Sequence, residues 1–243
     1  MRRLALPFAL ALAVFALLCG LGVWQLERRA WKEDLLARIH ARTTAAPEAL
    51  PPPAGWAALA PDAYDYRHVS LRGTFDHTKE ALVFRGSGDG KPGGAGPGYL
   101  VLAPLHLASG GTVIVNRGFV PLAKREPASR AAGQIIGEVE VTGLMRPPEP
   151  RNSFTPADIP ATGEWYTRDP ALIAAHFAIA DAAPFTLDAD AVPAPPGGLP
   201  AGGATVTDVP DNHLSYALTW FGLAIGLLGV FAVFAAGAVR KAP

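Results

Sequence analysis

The stretch "DNHLSYALTWFGLAIGLLGVFAVFAAGAV", residues 211–239, decides how this chain is organised. Asp211, Asn212 and His213 are polar; from Leu214 to Val239, 26 residues, nothing is charged. At about 1.5 Å per residue, a helix of that length outspans a hydrocarbon core of roughly 30 Å. At the other end, Leu4–Val23 is a second uncharged run, 20 residues long. Between them, residues 24–213 have ordinary polar composition, so a mean hydropathy of +0.22 reflects the two ends.

The sequence therefore predicts a membrane α+β protein. Residues 1–23 form transmembrane helix 1, which continues as an interfacial helix to about residue 42. Residues 24–213 form an extracytoplasmic β-rich domain, 214–239 transmembrane helix 2, and 240–243 a cytoplasmic tail. All 21 acidic residues lie between Glu27 and Asp211, with 17 basic residues, a net −4 for that segment. Arg2, Arg3, Arg240 and Lys241 carry the remaining charge on the short tails. Short basic tails stay cytoplasmic, whereas a long loop translocates largely regardless of charge. Both termini are expected in the cytoplasm and the large loop outside it. Arg28, Arg29, Lys32 and Arg38 weaken this bias without reversing it. The first apolar run exceeds a signal-peptide core of about 7–15 residues, and Leu18 stands before Cys19 where a lipoprotein signal has a small residue, so an uncleaved anchor is expected.

After the first span, "WQLERRAWKEDLLARIHAR" continues the helix, with Trp24, Gln25, Trp31 and Lys32 at headgroup height. "PEALPPPAGW" breaks it. β-like segments separated by turn signals then follow: "YRHVSLRGTF", alternating through Val69 and Leu71, "EALVFRG", "GYLVLAPLHL", "GTVIVNRGFV", "GEVEVTGLM", alternating less cleanly, and "APFTLDAD", the third and fourth forming a hairpin through "ASGG". "DPALIAAHFA" predicts a short helix, capped by Asp169 with Pro170 at its first position. "AVPAPPGGLPAGG" reads as a flexible connection and "ATVTDVP" as a last strand. The sum is an antiparallel, barrel-like β domain with one or two short helices. Gly222 and Gly226, with Gly229 a turn later, form a small-xxx-small pattern whose expected partner is the first span with Gly20 and Gly22.

Several chemistries are excluded. Cys19 is the only cysteine and lies in the first span, so neither a disulfide framework nor a thiolate metal site can form in the loop. "GSGDGKPGGAGPG" fails as a phosphate loop, having Arg85 and Pro92 where a glycine and a Ser or Thr are required. No nucleophile elbow and no His-Glu-x-x-His are present, so no enzyme is expected. Balanced charge and membrane anchors argue against nucleic acid.

Of the six histidines, His40, His68, His77, His106 and His176 sit singly in elements or turns. His213 stands at the mouth of a membrane helix. In helical geometry His213, Tyr216, Ala217 and Trp220 share a face. An imidazole and two aromatics at interfacial depth suit a flat amphiphile such as haem, and ionisable groups at a membrane are functional candidates. The competing reading is a helix cap and headgroup anchor.

The motifs "GVWQLERRAWK", "VSLRGTFDHTKEALV", "GYLVLAPL", "VIVNRGFVP", "APFTLDAD" and "DNHLSYALTWFGLA", in this order between two terminal spans, resemble the Surfeit-locus (Surf/Shy-type) family of cytochrome c oxidase assembly proteins. The resemblance runs nearly end to end. It implies a non-enzymatic assembly factor that holds or presents haem a for insertion into oxidase subunit I. Partners would be subunit I, haem a synthase and membrane lipid. His213 corresponds to the family's proposed haem-iron ligand; Trp24 and Gln25 match its W-Q pair and, with Tyr216 and Trp220, complete the expected haem a site. The chain departs from the family where Asp211 replaces the first of two asparagines. A cofactor-free scaffold for nascent subunit I is the alternative. High Ala, Gly and Pro content points to a GC-rich bacterial genome, hence a bacterial inner membrane with the loop in the periplasm.

Overall fold

Alternating side chains build the central domain. In β2 (His68–Phe75), Val69 and Leu71 are buried while Ser70 and Arg72 face outward, a period of two that fits a strand covered on one face. The computed structural model describes residues 2–86, 96–205 and 211–240 and divides into two compact units: residues 39–207, and residues 1–38 together with 208–243.

In the first of these, eight strands form one sheet. They are β1 (Glu48–Ala49), β2, β3 (Ala81–Arg85), β4 (Gly98–Leu107), β5 (Thr112–Pro121), β6 (Glu138–Arg146), β7 (Glu164–Trp165) and β8 (Ala182–Ala189), in spatial order β1-β2-β6-β8-β5-β4-β3-β7. Pairing of β2 with β4 (Gly73↔Leu107 to Phe75↔Leu105) closes β2, β6, β8, β5 and β4 on themselves. The closure needs a glycine: a Cβ on Gly73 would lie 2.2 Å from the His106 carbonyl oxygen. Trp56, Tyr64, Val69, Leu71, Leu105, Val113, Val115, Met145, Phe185 and Leu187 fill the barrel. Outside it, β3, β7 and the helix Pro170–His176 cover a second cluster around Val83, Leu102, Ile114, Trp165 and Ile173.

The predicted strands and the Asp169-capped helix are present; Asp169 accepts from the amides of Ala171 and Leu172. Three expectations need correction. The sheet is not wholly antiparallel: β5–β8, β1–β2 and β3–β7 run parallel. The β5–β8 pair is joined by about sixty residues carrying β6, β7 and a helix, which is the long crossover a parallel pair requires. Nor is "AVPAPPGGLPAGG" a loose connection. Ala201 exchanges backbone hydrogen bonds with Phe119, and Gly203 donates to Ala189. Gly118, at φ 122°, lies so close that a Cβ would sit 2.0 Å from the Ala201 oxygen. Finally, Ala204 and Thr205 are in no strand; the rest of "ATVTDVP", like the centre of the Gly86–Gly98 loop, lies outside the described residues.

The second unit is helical. Counting helices in chain order, α1 is Arg2–Thr43, α2 the single turn Pro61–Tyr64, α3 Pro170–His176 and α4 His213–Arg240. By length and composition α1 and α4 are both apolar enough to cross a membrane.

Candidate functional site

The helix pair meets along narrow stripes. On α4 the covered positions include His213, Ala217, Phe221, Ala224 and Phe231; on α1 they include Phe15, Leu18, Gly22 and Gln25. Steps of three and four residues keep each stripe on one face. The expected glycine pairing is corrected here. A Cβ on Gly22 would come 2.6 Å from the Phe221 ring, so Gly22 is the socket for that ring. Gly20, Gly222, Gly226 and Gly229 have nothing within 4 Å of a built Cβ. Phe221, Ala217 and Ala224 occupy the meeting face, which turns Gly222 and Gly226 outward.

At the end of these stripes the Nδ1 of His213 lies 2.8 Å from the Oε1 of Gln25. An amide oxygen only accepts, so Nδ1–H makes this bond, and in the neutral ring Nε2 then keeps its lone pair. Asp211 does not touch the imidazole. Its carboxylate accepts the backbone N–H of His213 at 2.9 Å, satisfying one of the orphan amides at the start of α4. Cap and ring therefore use different groups of one residue. Trp220 is partly covered on the same side of α4, whereas Tyr216 and Trp24 are 56% and 50% exposed, with their rings off the seam. Of the five residues singled out from sequence, His213 and Gln25 are thus joined directly, Trp220 flanks the seam, and Trp24 and Tyr216 present open aromatic faces.

If haem bound here, Nε2 of His213 would be the nitrogen offered to its iron. A neutral imidazole whose distal N–H is fixed by a neighbour presents its other nitrogen as ligand. Among the described residues no cluster of three or more His, Cys, Asp or Glu side chains could hold a bare metal ion.

The chain matches the SURF1 family over residues 12–225. It is 39% identical over 214 residues to Surfeit locus protein 1 of Mus musculus, covering 84% of this chain and 67% of the mouse protein. A SURF1-like protein of Monosiga brevicollis is 39% identical over 215 residues, with 84% and 78% covered. Surfeit locus protein 1 of Homo sapiens is 37% identical over 215 residues, with 84% and 69% covered. The chain belongs to the SURF1 family. The span matched to the SURF1 family contains Trp24, Gln25, His213, Tyr216 and Trp220. SURF1 proteins are known as cytochrome c oxidase assembly factors.

The same span holds a second polar centre, which the sequence reading missed. Arg130 grips Glu80 with both guanidinium nitrogens, at 3.1 and 2.5 Å, and Gln134 adds a bond at 3.0 Å. Arg117 lies 3.6 Å from the same carboxylate, donates to Gln134 Oε1 and to the Gly133 carbonyl, and stacks over the Phe75 ring. Its Nη1 also donates to Nδ1 of His77, whose Nε2–H then serves the Ile135 carbonyl. Burial is the main cause that pulls Arg117 down to about 10; Glu80 opposes it and Arg130 adds to it. His77 is held below its usual value, chiefly by burial. Nearby, buried Asp188 accepts from Asn116, Arg168 and Thr205. The signal was present in "VIVNRGFVP" and "APFTLDAD", whose polar residues interrupt buried strands. A buried charge needs a partner, and here the partners are strands away.

Proposed function

We propose that this SURF1 protein is a cytochrome c oxidase assembly factor that holds haem a at the mouth of its helix pair and presents it for insertion into subunit I. The observation that carries the reading is the hydrogen bond between Gln25 and His213. It fixes the imidazole tautomer and leaves Nε2 free to ligate iron. Haem a, when bound, would supply the iron whose open coordination Nε2 fills. Trp220 would flank the macrocycle, and Trp24 and Tyr216 offer exposed aromatic surface to it. A single protein ligand suits temporary custody, because cargo held by one bond is released more readily than cargo held by two. Haem a synthase is the proposed donor.

The two helices are placed in a bacterial inner membrane, with both termini cytoplasmic and residues 24–213 periplasmic; the basic tails and the acidic balance of the loop support that topology. The role is non-enzymatic.

One observation favours a cofactor-free scaffold instead. Gly222, Gly226 and Gly229 leave an open small-residue face on α4, a surface that a helix of nascent subunit I could approach closely.

The deciding experiment is an absorption spectrum of the detergent-solubilised protein, co-expressed with the enzymes of haem a synthesis, beside His213→Ala. Stoichiometric haem a that vanishes in the variant supports custody through His213. No haem a in the wild-type protein, in cells that make it, together with loss of oxidase assembly in Gly226→Leu, supports the scaffold.

A further inference from the structure

One end of the barrel is not filled. A cavity of about 130 Å³ lies where the interior cluster stops, walled by Phe75, Val139, Val141, Ala189, Ala194 and Arg117. Phe75, Val139, Val141 and Ala189 are partly buried side chains packed against that cluster, so the cavity adjoins the apolar interior. Its size is comparable to engineered cavities that admit a single benzene ring. Mouths of β-barrels are recurrent places for small ligands, where a few polar groups fix orientation within apolar walls.

Glu140, Thr142 and Asp190 also line it, and its one basic side chain among the described residues is Arg117, 5% exposed. A guanidinium has five N–H donors. Among the described residues three are engaged: both on Nη1, with His77 and Gln134, and one on Nη2, with Gly133. No bond among the described residues uses Nε–H or the second Nη2–H, and the Nε/Nη2 edge of a guanidinium is one that receives a carboxylate through two parallel bonds. Charge points the same way. Arg117 and Arg130 face one buried carboxylate, Glu80, while His77 accepts from Arg117 and is neutral, so the cluster carries one positive charge in excess. The other carboxylates at the rim have their own partners, and, against burial, the bonds His68 makes raise its pKa. Glu140 is bonded to Ser70 and Arg72, and Asp190 to His68.

We propose that the barrel mouth is a binding site for a small carboxylate with a flat apolar body, its carboxylate on the Nε/Nη2 edge of Arg117 and its body against Val139, Val141 and Ala189. This site lies wholly within residues 39–207 and is independent of the haem reading. Nothing in the argument requires His213.

The test uses the full chain in detergent with para-fluorobenzoate as probe, followed by fluorine NMR, and para-fluorobenzamide as the neutral isostere. Saturable binding of the acid is expected, with Kd on the order of 1 mM or tighter, and at least tenfold weaker binding of the amide. Arg117→Met should weaken the acid at least tenfold. Ala194→Trp, a change on the exposed rim that fills the cavity without touching the charge cluster, should do the same and decides the matter if Arg117→Met does not fold. Absence of saturable binding, equal binding of acid and amide, or wild-type affinity in Ala194→Trp would overturn the proposal. An adventitious additive only, displaced nowhere by these changes, counts with those outcomes.

Discussion

The two units handle polar groups in opposite ways. Among the described residues, the helix seam has one side-chain hydrogen bond between its two helices, the pair Gln25 and His213 at its end. Inside the β domain, charges are buried in quantity and tied into networks: Glu80 with Arg117 and Arg130, and Asp188 with Arg168, Asn116 and Thr205. The reason is the availability of partners. A closed barrel brings many strands within reach of one side chain, so a desolvated charge can be surrounded by donors and acceptors. Two helices offer only the side chains on facing stripes, and a lone neutral pair is what such a seam accommodates. The β domain therefore places its charge where structure depends on it, and the helix pair keeps a nitrogen lone pair unspent.

That contrast can be broken from the strong side first. Glu80→Gln removes the one carboxylate between two buried arginines at nearly constant shape. It should cost about 3–5 kcal/mol, because breaking a buried pair strands the remaining charge. Chemical denaturation of the full chain checks this, and a loss below about 1 kcal/mol would sink the view that the network is structural. In the helix pair the sharpest steric test is Gly22→Leu. With the Phe221 ring at 2.6 Å from the new Cβ, the helices must separate or shift, at about 1–3 kcal/mol. Gly222→Leu, facing open space, should leave the pair intact. Cross-linking of cysteines placed on α1 and α4 would separate these outcomes, and equal effects would refute the seam described above.

Gln25→Leu probes the neutral pair. Losing the group that fixes a ligating histidine typically weakens metal binding by about 10–100-fold. Haem a retention during dilution should fall accordingly while helix pairing is kept. Unchanged retention would show that the tautomer is set elsewhere.

The smallest expected effect is a pH dependence at His68. Burial alone would lower its pKa, but Nδ1 bonds the Ala45 carbonyl and Nε2 the Asp190 carboxylate, and together they raise it. Both partners accept, so the folded state favours the imidazolium. The stabilisation is fully present below the unfolded value of about 6.5 and is lost as pH rises through the elevated folded value. Melting curves across that window should show a modest decline in the wild type that His68→Asn flattens; a parallel decline in both would assign it to other groups.

The legible parts of the fold were those governed by local sequence pattern. "GYLVLAPLHL" and "GTVIVNRGFV" are short, nearly continuous apolar runs flanking the turn "ASGG", and they are β4 and β5 almost to the residue, buried on both faces. "DPALIAAHFA" announces its helix because capping chemistry is local. Parallel pairing of β5 with β8 could not be read, since it depends on where an intervening crossover lands. "AVPAPPGGLPAGG" looked loose because its composition is that of a linker, yet its glycines are sites of close backbone approach, as at Gly202 against the Asp190 oxygen. The site divides the same way. His213 stood out by its position at a helix mouth; its partner, Gln25, is 188 residues away and became specific only through the facing stripes. Gly222 and Gly226 misled because a small-residue pattern gives spacing but not which face meets the neighbour. Arg117 showed only as a charge interrupting the apolar run "VIVNRGFVP", and nothing in the sequence tied it to Glu80, strands away.

The sheet's two terminal strands have one further consequence. β1 and β7 are each two residues long, and between them every strand is paired on both sides over at least part of its length. A sheet edge is a template on which another extended chain can grow, and very short edge strands blunt it. In the proposed assembly role, the domain would stand beside partly folded polypeptide and would be exposed to that hazard. With the margins of the described sheet reduced to two-residue stubs, it would offer such neighbours little on which to nucleate a mixed sheet, so it could stand close to unfolded chains without coalescing with them.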